Sequence, residues 1–284
     1  MRLRLLAEQT TKRYKMEIIV PILAVILVIF AVYLIMIAPG RPRDIKRFSK
    51  EKYAHRGLHD ATRAENSMSA FRAAVEAGYG IELDVRLSSD GELVVFHDDT
   101  LDRVCGREGR VRDIGYAELS ECRLLGTEDT IPRFCDVLAL VDGRVPLLVE
   151  IKEDAGDSAV STKTAEMLKE YKGDYIVESF NPLSLKNLKQ QLPDATVGVL
   201  SYRYMIHEKN RKPLFFMLQS LLLNRLCNPA FIAYDHRHAS CLSLRIVRAL
   251  FGAVTIAWTV RSEKEYETAL KNGFDTIIFE DFLP

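Results

Sequence analysis

The chain has 284 residues with 39 basic and 39 acidic side chains, so its formal net charge is zero and composition gives no support to nucleic-acid binding. Its 48% hydrophobic and 27% charged residues are typical of a globular protein. The five cysteines are odd in number and lack CxxC or CxxH spacing, which excludes an obvious zinc site and favours free thiols in a reducing compartment.

The first predicted element is an uncharged apolar helix at residues 18–38. These 21 residues would rise about 30 Å as a helix, which is the thickness of the hydrocarbon core of a bilayer. A signal peptide has a shorter apolar core of about 7–15 residues, and the following APGRPR is a poor cleavage site. We therefore predict an uncleaved transmembrane helix and a single-pass membrane protein; the alternatives are a cleaved signal or a buried core helix.

Basic residues flank this helix on both sides. Residues 1–17 are predicted to form a short basic tail, and residues 39–51 a juxtamembrane linker. The C-terminal flank has the slight excess of positive charge, at Arg41, Arg43, Lys46, Arg47, Lys50 and Lys52. Because positive charge is retained on the cytoplasmic side, we expect the domain at 52–284 to lie in the cytoplasm, as the unpaired cysteines also indicate.

Short β-rich runs alternate with helix-period segments throughout residues 52–284. This alternation predicts a parallel sheet, and so many repeats favour a closed α/β barrel of the TIM (β/α)8 type, preceded by the one transmembrane helix. There are nine candidate strands, one more than a regular barrel needs. They lie near residue 53 and at 81–85, 93–96, 146–151, 175–180, 196–200, 231–235, 254–260 and 276–280.

The surplus strand is assigned to a hairpin around the sequence RLSSDGELV. With Asp90-Gly91 as a two-residue loop, counting outward places Asp84 opposite His97. Glu82 and Asp84 are two residues apart on a strand, so they project from the same face.

Several charged side chains are expected to meet at the carboxyl-end mouth of the barrel, where active sites of this fold lie. Three of them are the carboxylates Glu82, Asp84 and Glu150. Each pair held ~4 Å apart would repel by on the order of 4 kcal/mol at an effective dielectric constant of about 20, so a cation or protons must neutralise them. An all-oxygen ligand set suits one divalent cation, Ca²⁺ or Mg²⁺.

The neighbours of these carboxylates suit a phosphate-like substrate. Arg56 and Lys152 supply positive charge for an anionic group. His55 and His97 titrate near neutral pH and can serve as general base and general acid. The residues taken together indicate metal-assisted phosphoryl chemistry.

The motifs AHRG, ENSMSAFRAAVEAGYGIELDVRLSSDGELVVFHDDTLDR, IPRFCDVL, LLVEIK, ESFNP and AWTV, in this order, closely resemble the glycerophosphodiester phosphodiesterase family. The resemblance runs from Tyr53 to the C-terminus and is tightest over residues 54–152. It implies a TIM barrel of the phosphatidylinositol-phospholipase-C-like kind. It also implies cleavage of glycerophosphodiesters by water to sn-glycerol 3-phosphate and an alcohol.

The resemblance further implies a role for each matched residue. In the family mechanism a glycerol hydroxyl, deprotonated by one histidine, attacks phosphorus, the other histidine protonates the leaving alkoxide, and water opens the cyclic phosphate. The implied catalytic residues are His55 and His97, the metal ligands Glu82, Asp84 and Glu150, and the substrate-binding residues Arg56, Lys152 and Trp258.

Three further points concern residues near this site. The ending Phe279-Glu280-Asp281 departs from the family's usual Thr-Asp-x-Pro-like ending, and we expect it to affect only the shape of the glycerol pocket. Glu65 and Asn66 are interpreted mainly as helix-start residues. The apolar segment 213–227 is interpreted as a core-facing helix, with the alternative that Leu214, Phe215, Phe216 and Met217 rest in the membrane interface.

Two other functions stay open at this point. One is a lysophospholipase-D-like cleavage of lysophospholipids at the same site, since the same bond would react. The other is a catalytically silent, membrane-tethered binding module, which the absence of any of the histidines or carboxylates would favour.

Overall fold

The structure is a computed structural model that describes residues 2–40, 45–154, 156–208 and 212–284. Arg41 and Arg43 of the predicted linker lie outside these ranges. The helices are α1 (Arg2–Ile37), α2 (Ile45–Phe48), α3 (Met68–Ala77), α4 (Asp102–Cys105), α5 (Tyr116–Leu119), α6 (Phe134–Val141), α7 (Ala159–Glu170), α8 (Pro182–Gln191), α9 (Tyr204–His207), α10 (Pro213–Gln219), α11 (Asn224–Cys227), α12 (Leu242–Phe251) and α13 (Glu263–Lys271), with 3₁₀ turns at Val111–Asp113 and His236–His238.

Eight parallel strands close into a barrel, as the sequence predicts. The strands are β1 (Tyr53–Ala54), β2 (Gly80–Leu87), β3 (Leu93–Val95), β4 (Leu147–Ile151), β5 (Tyr175–Ser179), β6 (Val197–Ser201), β7 (Phe231–Asp235), β8 (Val254–Val260) and β9 (Thr276–Phe279). Strand β1 pairs with both β2 and β9, which closes the ring. The surplus strand is β3, whose only neighbour among the strands of the described residues is β2, in an antiparallel hairpin, so this prediction is confirmed.

The predicted register of the hairpin is wrong by one residue. Val85 pairs with Val95, and the Phe96 amide donates to the Asp84 carbonyl over 2.9 Å, so Phe96 rather than His97 stands opposite Asp84. The cause is a loop of three residues instead of two, because the Ser88 amide donates to the Glu92 carbonyl over 2.9 Å. Within this loop Gly91 adopts a φ of 84°, a conformation that glycine adopts without steric cost.

The interior of the barrel is apolar near the amino ends of the strands and charged near the carboxyl ends. On β2, Ile81, Leu83 and Val85 face the outer helices, and the intervening Glu82 and Asp84 face inward. Deeper in the barrel, α2 closes the amino end with two buried side chains. The interior apolar layer includes Ile45, Phe48, Tyr53, Leu148, Ile176, Phe231, Ile256 and Ile278.

The end of α1 packs against the outside of the barrel. Ile37 is fully buried, and its carbonyl accepts a hydrogen bond of 2.8 Å from the Asn224 side-chain amide. One turn earlier, the hydroxyls of Tyr33 and Ser243 are 2.9 Å apart. The last residues of the predicted transmembrane segment 18–38 are therefore in contact with helices α11 and α12.

Candidate active site

A cavity of about 260 Å³ opens at the carboxyl ends of the strands. It brings together residues from β2, β4, β5, β6, β8 and β9 and from the loops after β1 and β3. Its polar and aromatic lining consists of His55, Arg56, Glu82, His97, Glu150, Lys152, Glu178, Phe180, Trp258, Thr259 and Arg261. The structure thus gathers every residue that the sequence assigns to the site, with Asp84 buried directly beneath the cavity lining.

The carboxylates of Glu82, Asp84 and Glu150 form one cluster, in which one oxygen of each lies within 4.8 Å of the others. All three side chains are buried, and the strand register explains their meeting, because Asp84 pairs with Glu150 across β2 and β4. Burial and the neighbouring carboxylates raise the pKa of Glu82 well above its ordinary value. Burial also raises the pKa of Glu150, to about 7.

Asp84 is the most strongly paired of the three carboxylates. Its oxygens lie 3.1 Å from Lys152 Nζ and 3.5 Å from Arg56 Nε, and the Asn66 side-chain amide donates a hydrogen bond of 2.8 Å. Burial alone would raise the pKa of Asp84, but the charges of Lys152, His97 and Arg56 and this hydrogen bond outweigh burial and lower it. Asp84 is therefore ionised at any physiological pH.

The donor set of this cluster fits a divalent cation of the Ca²⁺ or Mg²⁺ type, because all its ligand atoms are carboxylate oxygens. The charge also fits. When all three carboxylates are ionised, as ligands of a cation must be, Arg56 and Lys152 beside them leave one net negative charge. A divalent cation converts this to one net positive charge, which matches the single negative charge of a phosphodiester.

A fourth carboxylate, Glu178, lies beside the cluster. It pairs in register with Glu150 and is buried, and its Oε2 has no hydrogen-bond partner among the described residues. Burial, reinforced by the charges of Glu150 and Glu82, raises the pKa of Glu178 well above its ordinary value. Burial therefore favours the protonated, neutral form of this side chain.

Arg56 is fixed at the mouth by its backbone and its side chain. It adopts a φ of 55°, its amide donates 2.9 Å to Glu82, and its guanidinium donates 2.6 Å to Glu65. Glu65 in turn accepts two hydrogen bonds, of 2.7 and 2.8 Å, from Arg103. The guanidinium of Arg56 is therefore oriented before any anion arrives.

Each of the two histidines is bound by a carboxylate at Nδ1. Nδ1 of His55 is hydrogen-bonded to Glu280, and Nδ1 of His97 lies 2.6 Å from Asp98 Oδ1. Burial lowers the pKa of His55 and lowers that of His97 to about 4, although the carboxylates oppose this change. Both imidazoles are thus neutral at rest, and the carboxylates leave the Nε2 atoms for proton transfer.

Aromatic rings form one wall of the cavity. Trp258 contacts Phe180 edge to face with ring centroids 5.4 Å apart, and Tyr202 lies 6.2 Å from Trp258. The ammonium of Lys152 lies 5.7 Å from the Phe180 ring centroid. The Trp258 indole N–H is buried without a partner among the described residues, and it is a donor available to a bound molecule.

Besides Asp98, Phe180 and Arg261, four further residues of this site escaped the sequence interpretation. Asn66 bonds Asp84 instead of capping α3, where Ser67 is the cap, and Glu65 binds Arg56. Glu178 could have been found from its inward register beside Glu150. Glu280 reaches His55, so the departure at 279–281 affects a histidine and not only the shape of a pocket.

A sequence model of the glycerophosphoryl diester phosphodiesterase family matches residues 55–283. A glycerophosphodiester phosphodiesterase of Caldanaerobacter subterraneus is 30% identical over 245 residues, which are 80% of this chain and 93% of that protein. A lysophospholipase D of Rattus norvegicus is 26% identical over 267 residues, 81% of this chain and 83% of that protein.

Solved structures show the same likeness. The glycerophosphodiester phosphodiesterase of Thermotoga maritima superimposes with a TM-score of 0.62 at 28% identity, covering 81% of this chain and 94% of that one. A phosphodiesterase of Oleispira antarctica, solved with its product sn-glycerol-3-phosphate, gives a TM-score of 0.67 at 23% identity, covering 81% and 92%. From its family match and its relatives, this chain belongs to the glycerophosphoryl diester phosphodiesterase family and is an enzyme that cleaves phosphodiesters.

Proposed function

We propose that the protein is a membrane-anchored, divalent-cation-dependent hydrolase that converts glycerophosphodiesters to sn-glycerol 3-phosphate and an alcohol. The observation that carries this proposal is the placement of three buried carboxylates between two carboxylate-bound histidines around one cavity. Because no member of that set is missing, a catalytically silent binding module is the weaker interpretation.

The cation would be held by Glu82, Asp84 and Glu150. When bound, it would stabilise the negative charge that develops on the phosphoryl oxygens, as Ca²⁺ and Mg²⁺ both can. Arg56 and Lys152, which contact the same carboxylates, would bind the phosphate and hold phosphorus near the two imidazoles.

The two histidines would move the protons. One imidazole Nε2 accepts the proton of the attacking glycerol hydroxyl, and the other imidazole donates a proton to the oxygen of the leaving alcohol. The carboxylates at Nδ1, Glu280 and Asp98, would orient each ring and stabilise its protonated form. Water then opens the cyclic phosphate with the roles of the histidines reversed.

A lysophospholipase-D-like activity is the second candidate function. The aromatic wall of Phe180 and Trp258, with Tyr202 packed against both rings, gives the leaving alcohol an apolar environment, which an acyl chain would favour. The rat relative named lysophospholipase D supports this alternative, because it matches 81% of the chain.

We also propose that α1 anchors the enzyme in a membrane. Its apolar part, Met16–Ile37, contains 18 consecutive residues with a mean hydropathy of 3.3 and is long enough to span a bilayer. If a signal peptidase cut the chain near Ala38, the catalytic domain would lose Ile37, which is buried against the outside of the barrel and accepts a hydrogen bond from Asn224. This contact favours a retained anchor over a cleaved signal peptide. All five cysteines are free, in keeping with a catalytic domain in the cytoplasm.

The decisive experiment is a substrate panel with the purified full-length chain, from glycerophosphocholine to lysophosphatidylcholine, with Ca²⁺ or Mg²⁺. Chelation with EDTA should abolish turnover, and His55→Ala or His97→Ala should lower it by about 10²–10⁴-fold. The exposed His207→Ala is the matched control and should stay close to the unaltered enzyme. Full activity in EDTA would refute the cation requirement, and full activity of both variants would refute the histidine roles.

A further inference from the structure

The contacts of α1 give the direction in which the anchor leaves the barrel. Tyr33 contacts Ser243, in the first turn of α12, just after the carboxyl end of β7. The amide of Gly40 donates 2.7 Å to the carbonyl of Pro229, just before the amino end of β7. From Tyr33 to Gly40 the chain therefore runs from the mouth side towards the closed side, so the helix before Tyr33 extends beyond the mouth.

The free part of the helix covers most of the roughly 30 Å thickness of the apolar layer of a bilayer. Residues 16–32 rise about 25 Å, and their large apolar side chains are 46–66% exposed. The residues that follow, from Tyr33 to Ile37, are packed on α11 and α12 instead of forming a free linker. An anchor attached so close to the rim would hold the mouth against the membrane surface.

The rim beside α1 carries a second, independent feature that points to a lipid surface. Large apolar side chains are at least half exposed on the connections that follow β5, β6 and β7 at their carboxyl ends. Helix α10 lies at this level, because the Ser201 hydroxyl at the end of β6 donates 3.0 Å to the Leu218 carbonyl. The exposed residues of this apolar rim are Leu183, Ile206, Leu214, Phe216 and Leu242.

Aromatic contacts connect the apolar rim with the cavity. Phe215 of α10 stacks on Tyr204 with centroids 5.6 Å apart, and Tyr204 stacks on Tyr202 at 3.9 Å. Tyr202 contacts Phe180 and Trp258 in the cavity wall at 5.8 and 6.2 Å. An acyl chain could follow this apolar path from the rim to the reacting phosphate.

We propose that the mouth of the barrel lies on the bilayer that α1 crosses, with the apolar rim in the interface, so that the site draws its phosphodiester from the membrane. The substrate class is a single-chain glycerophospholipid, whose acyl chain lies along the path from Phe215 to Trp258. This inference rests on the proposed anchor and on the proposed phosphodiesterase reaction. It revises the interpretation of segment 213–227 for its first part alone, since no residue of α10 is buried whereas Leu221 and Cys227 belong to the core.

The position of the mouth is tested without any activity measurement. Trp258 is the single tryptophan of the chain, so Phe216→Trp in a Trp258→Phe background reports only from the rim. The matched control is Leu250→Trp in the same background, because Leu250 is 61% exposed at the far end of α12.

In phosphatidylcholine vesicles that contain a brominated phosphatidylcholine, the bromine should quench the tryptophan at position 216 and leave that at position 250 unchanged. Equal quenching, or stronger quenching at 250, would overturn the proposed orientation. Failure of the protein to float with vesicles would instead refute the anchor, so the two failures can be told apart.

Turnover provides the test of the substrate class. The double variant Leu214→Ser/Phe216→Ser should lower turnover of lysophosphatidylcholine in phosphatidylcholine vesicles by about tenfold, because it removes apolar surface that enters the interface. Turnover of water-soluble glycerophosphocholine should be unchanged, and Leu226→Ser/Leu250→Ser, which alters exposed leucines away from the rim, should affect neither substrate. An equal loss with both substrates would overturn the proposal.

Discussion

Glu280 bonds Nδ1 of His55 across 225 positions of the chain. The same carboxylate is an ion-pair partner of Arg261 and lies 3.8 Å from His59. Together these contacts lower the pKa of Glu280 although burial would raise it, so Glu280 stays ionised and orients the imidazole.

We expect Glu280→Gln to lower kcat by about 10²-fold, because an amide keeps the shape of the side chain but cannot stabilise the protonated imidazole. The pH–rate limb that reports His55 should move to lower pH, because the carboxylate that supports its protonation is lost. Steady-state kinetics across pH measure both effects. Asp281→Asn, at an exposed neighbouring carboxylate, is the control; an unchanged kcat and pH profile in Glu280→Gln would contradict the positioning role.

Glu178 and Glu150 should respond differently to the same substitution. Because burial favours the neutral form of Glu178, Glu178→Gln should retain turnover within about tenfold, whereas Glu150→Gln should lose it by about 10²-fold or more with weaker cation binding. Turnover and calorimetric titration with Ca²⁺ or Mg²⁺ give the comparison. Equal losses in the two variants would show that Glu178 is also an ionised ligand.

Cation binding should stabilise the protein more at high pH. The pKa of Glu150 is raised from 4.5 to about 7, so without a cation its contribution to stability is complete below about pH 4.5 and is lost as the pH rises through about 7. A bound cation needs the ionised carboxylate, so the sign is reversed in its presence. The increase in Tm caused by Ca²⁺ or Mg²⁺ should thus be larger near pH 8 than near pH 5, and equal increases would contradict this assignment.

A fragment that lacks the membrane-spanning part should be more stable when it begins before Tyr33 than when it begins after Ala38. A chain that begins at residue 40 lacks Ile37, which is fully buried, and leaves the Asn224 amide without its acceptor. This loss costs about 2–4 kcal/mol, so the 40–284 fragment should have a Tm about 5–10 °C below that of a 33–284 fragment. Thermal unfolding of both fragments tests this. Equal Tm values would mean that the contact between α1 and the barrel contributes nothing.

Much of the fold could be predicted from the sequence, because apolar residues recur at the spacing typical of strands in some segments and of helices in others. The alternation of Ile81, Leu83 and Val85 with Glu82 and Asp84 already places two carboxylates on one face. The hairpin was predicted correctly, but its register depends on whether the loop has two or three residues. Asp90-Gly91 is compatible with both loop lengths. The contact between Ser88 and Glu92 that decides it is not visible in a pattern.

The remaining parts of the site depend on contacts between distant segments. Asn66 precedes a helix and is a residue type that often caps helices. Its contact with Asp84 appears only in the folded barrel. Glu280 reaches His55 because β9 pairs with β1. The predicted closure makes these two strands neighbours, but it does not say which of their side chains are in contact. The packing of α1 on α11 and α12 could not be predicted either. The sequence of an apolar helix does not show whether its last turn contacts lipid or protein.

The helix α2 has a consequence for the order of events during turnover. Ile45 and Phe48 fill the amino end of the barrel, opposite the histidines. The active-site cavity is therefore open only at the carboxyl end. Both products must leave through the same opening by which the substrate enters. While sn-glycerol 3-phosphate stays bound, it prevents binding of the next substrate molecule. Inhibition by this product should therefore be competitive with substrate.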